Sequence, residues 1–547
     1  MNFKRVSAFI MAAVMLFSLV AFTGCSEGAK NSDESEKSGI VTLNMFVLTE
    51  EETSEKAAKE VQMAINEITV PQYKMFIKIN YLTEDEYWES IEEAEKETIS
   101  YISNKNSYKS DKITIGDMTF NEAIDYVFEA DDVELEKPQI DILVVNDYDK
   151  FISLVEEEKL AEIDVKYERK ALVKFIHPII LASAKVGKKT FGVPTNFDMQ
   201  GEYEFLVFNK NLLDKYGYSV SDLTTLEKMG DYLSIIKSRE PGYFPLSEIP
   251  ETSGVEIYDN LLYAQSALGN VSDVSYPVYL NNVDYMNYLN TVALYRRNGY
   301  VADYYGIKNA NYAIELVKSN ELIEKEWTEG GITYQAYLYD VPRVTAQQAF
   351  KSAMCVSAYS LEKAKAAELI ELFNTDAELA NMLQYGIEGK HYRIENGLVD
   401  FIETKPEDTY KMDNFLTGNV YIKYATEDTS DYIENAKKSN LAVLPSAFFG
   451  LYPSFNSVKS RAVYECVKTF SQTAFSMLDK GEITVADAFN ISGKQLNALG
   501  IGWDGGGNLT GALGDLTNAQ KEAAQLNASS FVFLEEAKTY NDVYLNK

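Results

Sequence analysis

Cysteine is nearly absent. Cys25, Cys355 and Cys466 are the three in 547 residues. They lie far apart, which excludes a disulfide framework. Cys355 and Cys466 read as buried thiols, with one bridge between them as the alternative. Histidine is scarcer still, with His177 and His391 alone. Without clustered cysteines, so few histidines predict no zinc or iron centre, and no other cofactor is expected. His391, in "GKHYRI", reads as a packing or surface residue rather than a base. Positive charge is also short: 51 Lys and Arg stand against 83 Asp and Glu, a formal net charge of −32. That excludes nucleic acid and anionic lipid surfaces as partners held by charge. The acidity fits the solubility of an exported protein and names no cationic ligand.

Long apolar runs are missing except at the start. After Lys4 and Arg5, no charge appears until Glu27. Residues 1–24 therefore read as a secretory signal, and the run is about the shortest that could span a bilayer. Phe22-Thr23-Gly24-Cys25 resembles the lipobox of bacterial lipoproteins. The resemblance implies cleavage before Cys25 and a diacylglyceryl group on its sulfur. The polar segment after it, residues 25–38, reads as a flexible tether. The protein is then expected on the outer face of the cytoplasmic membrane, held by its N-terminal lipid.

Nucleotide motifs are incomplete. "GIGWDGG" places Gly500, Gly502 and Gly505 in G-x-G-x-x-G spacing, but without the strand, helix and downstream acid such a site needs. "VGKKT", Val186 to Thr190, lacks the upstream glycine of a phosphate loop.

Tyrosine is abundant, at 38 residues. Its flat face and polar tip suit stacking on sugars and bonding hydroxyls, although tyrosine is also a common strand and core residue. The chain is too long for one core, so two or three lobes are expected. "GIVTLNMFVL", "YKMFIKINYL" and "IDILVVND" read as strands. Thr49-Glu50-Glu51-Glu52 fits a capping box for a helix running to Pro71. Thr83 and Glu86 open a second helix, and "YDKFISLVEEEKL" is a third. Alternating strands and helices predict a parallel sheet with covering helices. Residues 104–138 interrupt this rhythm as an insertion. Residues 210 to about 330 read as mostly helical.

Three stretches together resemble the extracellular solute-binding proteins of bacterial ABC importers, in the family that includes maltodextrin-binding proteins. They are "DILVVNDYDKFISLVEEEKLAEID", "AKVGKKTFGVPTNFDMQGEYEFLVFNKNLLDKYGY" and "MCVSAYSLEKAKAAELIELFNTDAELANMLQYGIEGKHY". The tail "QYGIEGKHY" is similar to the Gram-positive lipoprotein branch. The resemblance implies an α/β, two-lobed periplasmic-binding-protein-like fold of type II, with parallel-sheet lobes joined by a hinge. Lobe one would hold residues 39–200 and a return segment, 345–400. Lobe two would hold 201–344 and the C-terminal part, 401–547. "VGKKT" becomes a hairpin turn.

The implied function is capture of a small polar ligand, foremost an oligosaccharide, and delivery to the transmembrane subunits of an ABC permease. The protein would be a monomer and would do no chemistry. Pocket residues should lie on loops after strand carboxyl ends: Leu48-Thr49, Asn146 to Tyr148, and Thr195 to Gln200. The expected contacts are Asn146, Tyr148, Asn196, Phe197, Asp198, Tyr203, Trp327 and Phe455. Local packing competes with a ligand role at Tyr148, a solvated turn at Asp198, and core packing at Trp327. A peptide or polyamine is an alternative ligand. A secreted carbohydrate-active enzyme, or a surface sensor or adhesin that keeps the fold, is an alternative function.

Overall fold

A computed structural model describes residues 38–49, 52–105, 115–129, 137–163, 174–187, 189–250, 283–301, 310–446 and 448–450. Single residues at 135 and 172, and short pieces within 255–265, 476–487 and 502–510, are also described. Cys25, Phe455, the signal and the tether, save its last residue, lie outside these residues, as does most of the glycine-rich segment.

The N-terminal strands and helices follow their sequence patterns. β1 (Val41–Leu48) pairs in parallel with β2 (Met75–Leu82) along its whole length, and its end meets β3 (Ile142–Val145), also in parallel. α1 (Glu55–Tyr73) connects β1 to β2 and buries Ala57, Val61 and Ile65. Its cap is Ser54, whose side chain accepts from the Ala57 N–H, not Thr49. Thr49 instead donates to the Lys411 carbonyl, so a tertiary partner takes the hydroxyl that the capping-box pattern assigned to the helix. The helix continues through Pro71 to a left-handed Lys74.

α2 (Glu84–Asn104) follows, then α3 (Phe120–Glu129), which belongs to the insertion and packs near Phe76 and Ile115. α4 (Tyr148–Glu156) is capped by Asp147, which accepts from the Lys150 N–H. α5 (Pro178–Ser183) leads into the hairpin β4 (Lys185–Val186) and β5 (Lys189–Thr190), turning at Gly187 with φ 63°. β6 (Val193–Pro194) comes next.

A second sheet begins at β7 (Tyr203–Asn209). α6 (Lys210–Tyr216), α7 (Leu226–Arg239), β8 (Phe244–Leu246), the hairpin β9 (Val255–Tyr258) and β10 (Leu262–Gln265), and α8 (Val283–Arg297) follow. Then come β11 (Tyr312–Ser319), β12 (Glu326–Glu329) and β13 (Ile332–Asp340). Within 210–330 the described residues hold strands β8 to β12 beside the helices read there. "YAIELVKS" and "ITYQAYLYD" alternate with period two, and that alternation decides them as strands. The sheet order is β12-β13-β7-β11-β8, with β8 alone running parallel to its neighbour.

The chain returns through β14 (Arg343–Val344) to β15 (Ala353–Val356), which inserts between β3 and β6 and runs against both. The first sheet is thus β2-β1-β3-β15-β6, a mixed sheet. α9 (Lys363–Thr375) and α10 (Ala377–Tyr385) cover it, followed by the hairpin β16 (Tyr392–Glu395) and β17 (Leu398–Phe401). α11 (Glu427–Ala442) and β18 (Leu444–Pro445) come last in this part, and β18 pairs with β14.

Each sheet has its own apolar core. Leu43, Met45, Ile77, Val144 and Phe373 centre the first; Leu206, Phe208, Tyr232, Leu233 and Tyr295 centre the second. Tyr410, Met412, Val443 and Phe449 sit in the first core. The described part of 401–450 thus packs with the first sheet, where the sequence reading put it with lobe two. Cys355 is a buried free thiol, and burial pushes its pKa up.

Candidate functional site

The segment from β6 to β7, residues 195–201, crosses from one sheet to the other. Almost every residue in it is clasped by the segment from Thr417 to Val443. The Thr195 hydroxyl donates to the Gly418 carbonyl at 2.7 Å, and Asn196 Nδ2 to Asn419 Oδ1 at 2.7 Å. The Asp198 N–H donates to the Tyr432 hydroxyl at 2.9 Å and the Met199 N–H to Asn440 Oδ1 at 2.9 Å. Asn440 Nδ2 returns a bond to the Phe197 carbonyl at 2.7 Å. Gly201 closes the clasp by lacking a side chain. A Cβ there would stand 2.2 Å from Val443 Cγ2 and 2.6 Å from the Ser439 carbonyl. Gly201→Ala should lower stability by about 2 kcal/mol, the usual scale of overpacking. An unchanged denaturant midpoint would mean that the clasp yields to a methyl group.

Beside this crossing lies a cleft of about 610 Å³. Phe197, Asp198 and Gln200 line it from the crossing segment, and Gln348 and Lys351 from the turn before β15. Glu202, Glu204 and Lys318 come from the second sheet and its approach, Arg343 from β14, Tyr432 from the clasp and Phe415 from the loop just before it. The rings of Phe415 and Tyr432 meet edge to face, 6.1 Å apart. Lys351 Nζ lies 5.5 Å over the Phe415 ring.

The charges cancel: Asp198, Glu202 and Glu204 against Lys318, Arg343 and Lys351. Lys318 is 3.0 Å from Glu204, and Arg343 Nη1 donates to Asp340 at 2.8 Å. Asp198 accepts from the Gln200 N–H at 2.8 Å and from the Ser439 hydroxyl. A wall of aromatic faces, amides and paired charges suits a neutral polar ligand better than a strongly charged one.

The strand-end crevice of the first sheet is only partly open. Thr49 and Thr53 donate to the Lys411 carbonyl, and the Ser54 hydroxyl donates to the Glu407 carbonyl at 2.7 Å. Residues 407–411 thus cap the end of β1, one of the loops expected to face a ligand. At the end of β3, Asn146 and Asp147 are exposed.

Of the expected contacts, Phe197 and Asp198 meet in this cleft. Asn146 is exposed at the end of β3. Tyr148 is buried against Phe151 and Phe350, with ring centroids 6.3 and 5.5 Å away. Asn196 is fully buried and structural: it also accepts from the His177 N–H at 2.9 Å and donates to the Phe175 carbonyl at 2.7 Å. Tyr203 opens β7 with its ring 6.2 Å from Phe205. Trp327 lies on edge strand β12, stacked on Tyr334 at 5.5 Å. Phe455 lies outside the described residues. Phe415, Tyr432, Gln348 and Lys351 were not expected. The one local signal was an aromatic ring set among the turn formers of "MDNFLTGN".

Among the described residues, no group of three or more His, Cys, Asp or Glu could hold a metal ion, and no helix is long and apolar enough to cross a membrane.

No family model matches the chain. A "Carbohydrate ABC transporter substrate-binding protein" of Streptococcus pneumoniae serotype 4 (strain ATCC BAA-334 / TIGR4) is 26% identical over 321 residues. The match covers 54% of this chain and 63% of that protein, so it spans less than two thirds of the relative's length. Among solved structures, the N-glycan transport solute binding protein NgtS of Streptococcus pneumoniae superposes with a TM-score of 0.45 at 18% identity, over 90% of this chain and 99% of that one. An HMO binding, ABC-transporter associated solute binding protein of Bifidobacterium longum infantis gives 0.40 at 10% identity, over 92% and 99%. Two α/β sheets joined by crossing segments define the class of the fold. In sequence, the chain is similar to the carbohydrate-transport relative over 321 residues.

Proposed function

We propose that this protein captures an oligosaccharide between two lobes and delivers it to the permease subunits of an ABC importer, without turning it over. The observation that carries the reading is the cleft at the crossing between the sheets, with aromatic rings, amides and balanced charges on its walls. The carbohydrate-transport relative supports it. The first lobe would comprise residues 39–200 with 345–450, and the second 201–344 with the remaining C-terminal part. Phe197, Phe415 and Tyr432 would offer apolar faces, and Gln200, Gln348 and Asp198 would bond hydroxyls. Asn146, Tyr203, Trp327 and Phe455 are proposed as secondary contacts. The protein would be extracellular and monomeric, anchored by lipid on Cys25.

A thermal-shift screen of the processed chain against α-glucans, mannosides, N-acetylglucosamine-containing glycans, peptides and polyamines tests the ligand class. A ligand that binds the folded state alone raises the melting temperature. Phe415→Ala should then weaken binding of the responding glycan by roughly five- to a hundredfold, or about 1 to 3 kcal/mol. A shift with peptides or polyamines but no glycan would overturn the oligosaccharide reading. Shortened sugars appearing during the titration would overturn the transport reading. For the anchor, Cys25→Ala should release the protein from membranes or block its processing.

A further inference from the structure

Lys423 is a cation in the interior. It is 6% exposed, and no carboxylate lies within salt-bridge distance among the described residues. Burying an ammonium without a counter-ion costs several kcal/mol unless hydrogen bonds compensate, and a methionine would fill the same volume. Its three N–H groups have three acceptors: Gln384 Oε1 at 3.0 Å, the Asn414 carbonyl at 2.9 Å and Thr417 Oγ1 at 2.6 Å. Two of these belong to one short loop, residues 413–418.

That loop bears Phe415, and its other bonds pin it to α10, to the turn before β15 and to the crossing segment. Gln384 Nε2 donates to the Met412 carbonyl at 2.7 Å, and the Thr417 hydroxyl donates to Gln384 Oε1. The Ser352 hydroxyl donates to the Phe415 carbonyl. The Gly418 carbonyl receives Thr195. Gly418 itself has φ 89°, and a Cβ there would meet the Phe373 carbonyl at 2.9 Å. The backbone on both sides of Phe415 is held, and Lys423 is the hub beneath it.

We propose that Lys423 is a positioning residue for the cleft: it fixes the 413–418 loop so that the Phe415 ring forms the aromatic wall. This rests on the function proposed above only for the use to which the wall is put. The geometry of Lys423 and Phe415 stands without a ligand.

The protonation state of Lys423 gives a handle. Burial lowers its pKa to about 7, with the Asp413 carboxylate partly opposing the shift. Asp413 lies on the loop itself; α10 faces the amine with the neutral amide of Gln384, and the loop adds Thr417 and the Asn414 carbonyl. A neutral amine has two N–H groups for three acceptors, so one of the three bonds must be lost or reversed on deprotonation, either directly on the loop or at Gln384, which itself holds Met412 and Thr417.

The test is Phe415→Trp in the full chain, with the emission of Trp88, Trp327 and Trp503 subtracted using the parent protein. Emission of the introduced indole should titrate between pH 6 and pH 9 with a midpoint near 7. Adding Lys423→Met should abolish that titration and raise acrylamide quenching of the introduced indole at pH 6 at least twofold. A flat pH profile in Phe415→Trp alone overturns the proposal, even if the double variant fails to fold. So does a double variant that melts lower but leaves the quenching and the titration of that indole unchanged, because a purely structural lysine would behave that way. None of these measurements uses a glycan, so an absent response in the ligand screen leaves this result standing.

Discussion

Tyr148→Ala is expected to destabilise the protein by about 3 kcal/mol, the low end for deleting a buried aromatic ring. It should leave glycan affinity of the folded fraction unchanged. Tyr148 sits where an open α/β sheet presents its ligand loop, directly after β3. Its ring nevertheless points into the first core, 7% exposed, between Phe151 and Phe350. Asp147 explains the direction: its side chain caps α4, and the helix then turns its first residue inward. Denaturant melts and calorimetry on the same preparation read both quantities. A weakened affinity with an unshifted midpoint would place Tyr148 in the site after all.

Acidification should remove about 3 kcal/mol of stability through His177 alone. The imidazole is buried, and burial lowers its pKa from 6.5 to about 4. Its Nδ1 accepts the Ile179 N–H at 3.3 Å, capping α5, so the neutral form is the one that fits. Between pH 6.5 and 4 the unfolded chain binds the proton and the folded chain does not. Stability therefore falls as pH falls through that window and levels off below it. His391 adds in the same direction, since burial and then Lys390 lower its pKa, and its Nδ1 accepts the Ile387 N–H at 2.9 Å. Asp141 opposes them, because burial raises its pKa. His177→Asn keeps an acceptor at the cap and cannot titrate. Urea melts at pH 7 and pH 4 should show a markedly smaller loss in that variant. Equal losses in the two proteins would remove His177 as the cause.

Strands with local signatures were readable in the sequence. β1, β2 and β3 are short apolar or alternating runs, and their places in the sheet follow from the helices between them. β11 carries an equally clear alternation, but the Tyr- and Asn-rich stretch before it obscures it within a segment that reads as mostly helical. The crossing segment was found because "GVPTNFDMQGEYEFLVFN" is contiguous. Its partners were not, since Asn419, Tyr432 and Asn440 come more than 200 residues later and carry no mark of the clasp. For the same reason Asn196 looked like a ligand contact. An asparagine beside a strand end has the right chemistry for a hydroxyl, and only the fold shows that its amide is spent on Asn419 and Phe175.

The position of β15 governs when this molecule can finish folding. It is the fourth strand of the first sheet, yet it follows β3 by roughly 200 residues, a separation that makes pairing slow. Until residue 356 has emerged, β3 and β6 cannot be joined, and each keeps an open edge. The clasp extends the delay to Val443. A nascent chain of this topology stays incomplete through most of its synthesis. It makes premature truncation before β15 an invitation to edge-to-edge aggregation.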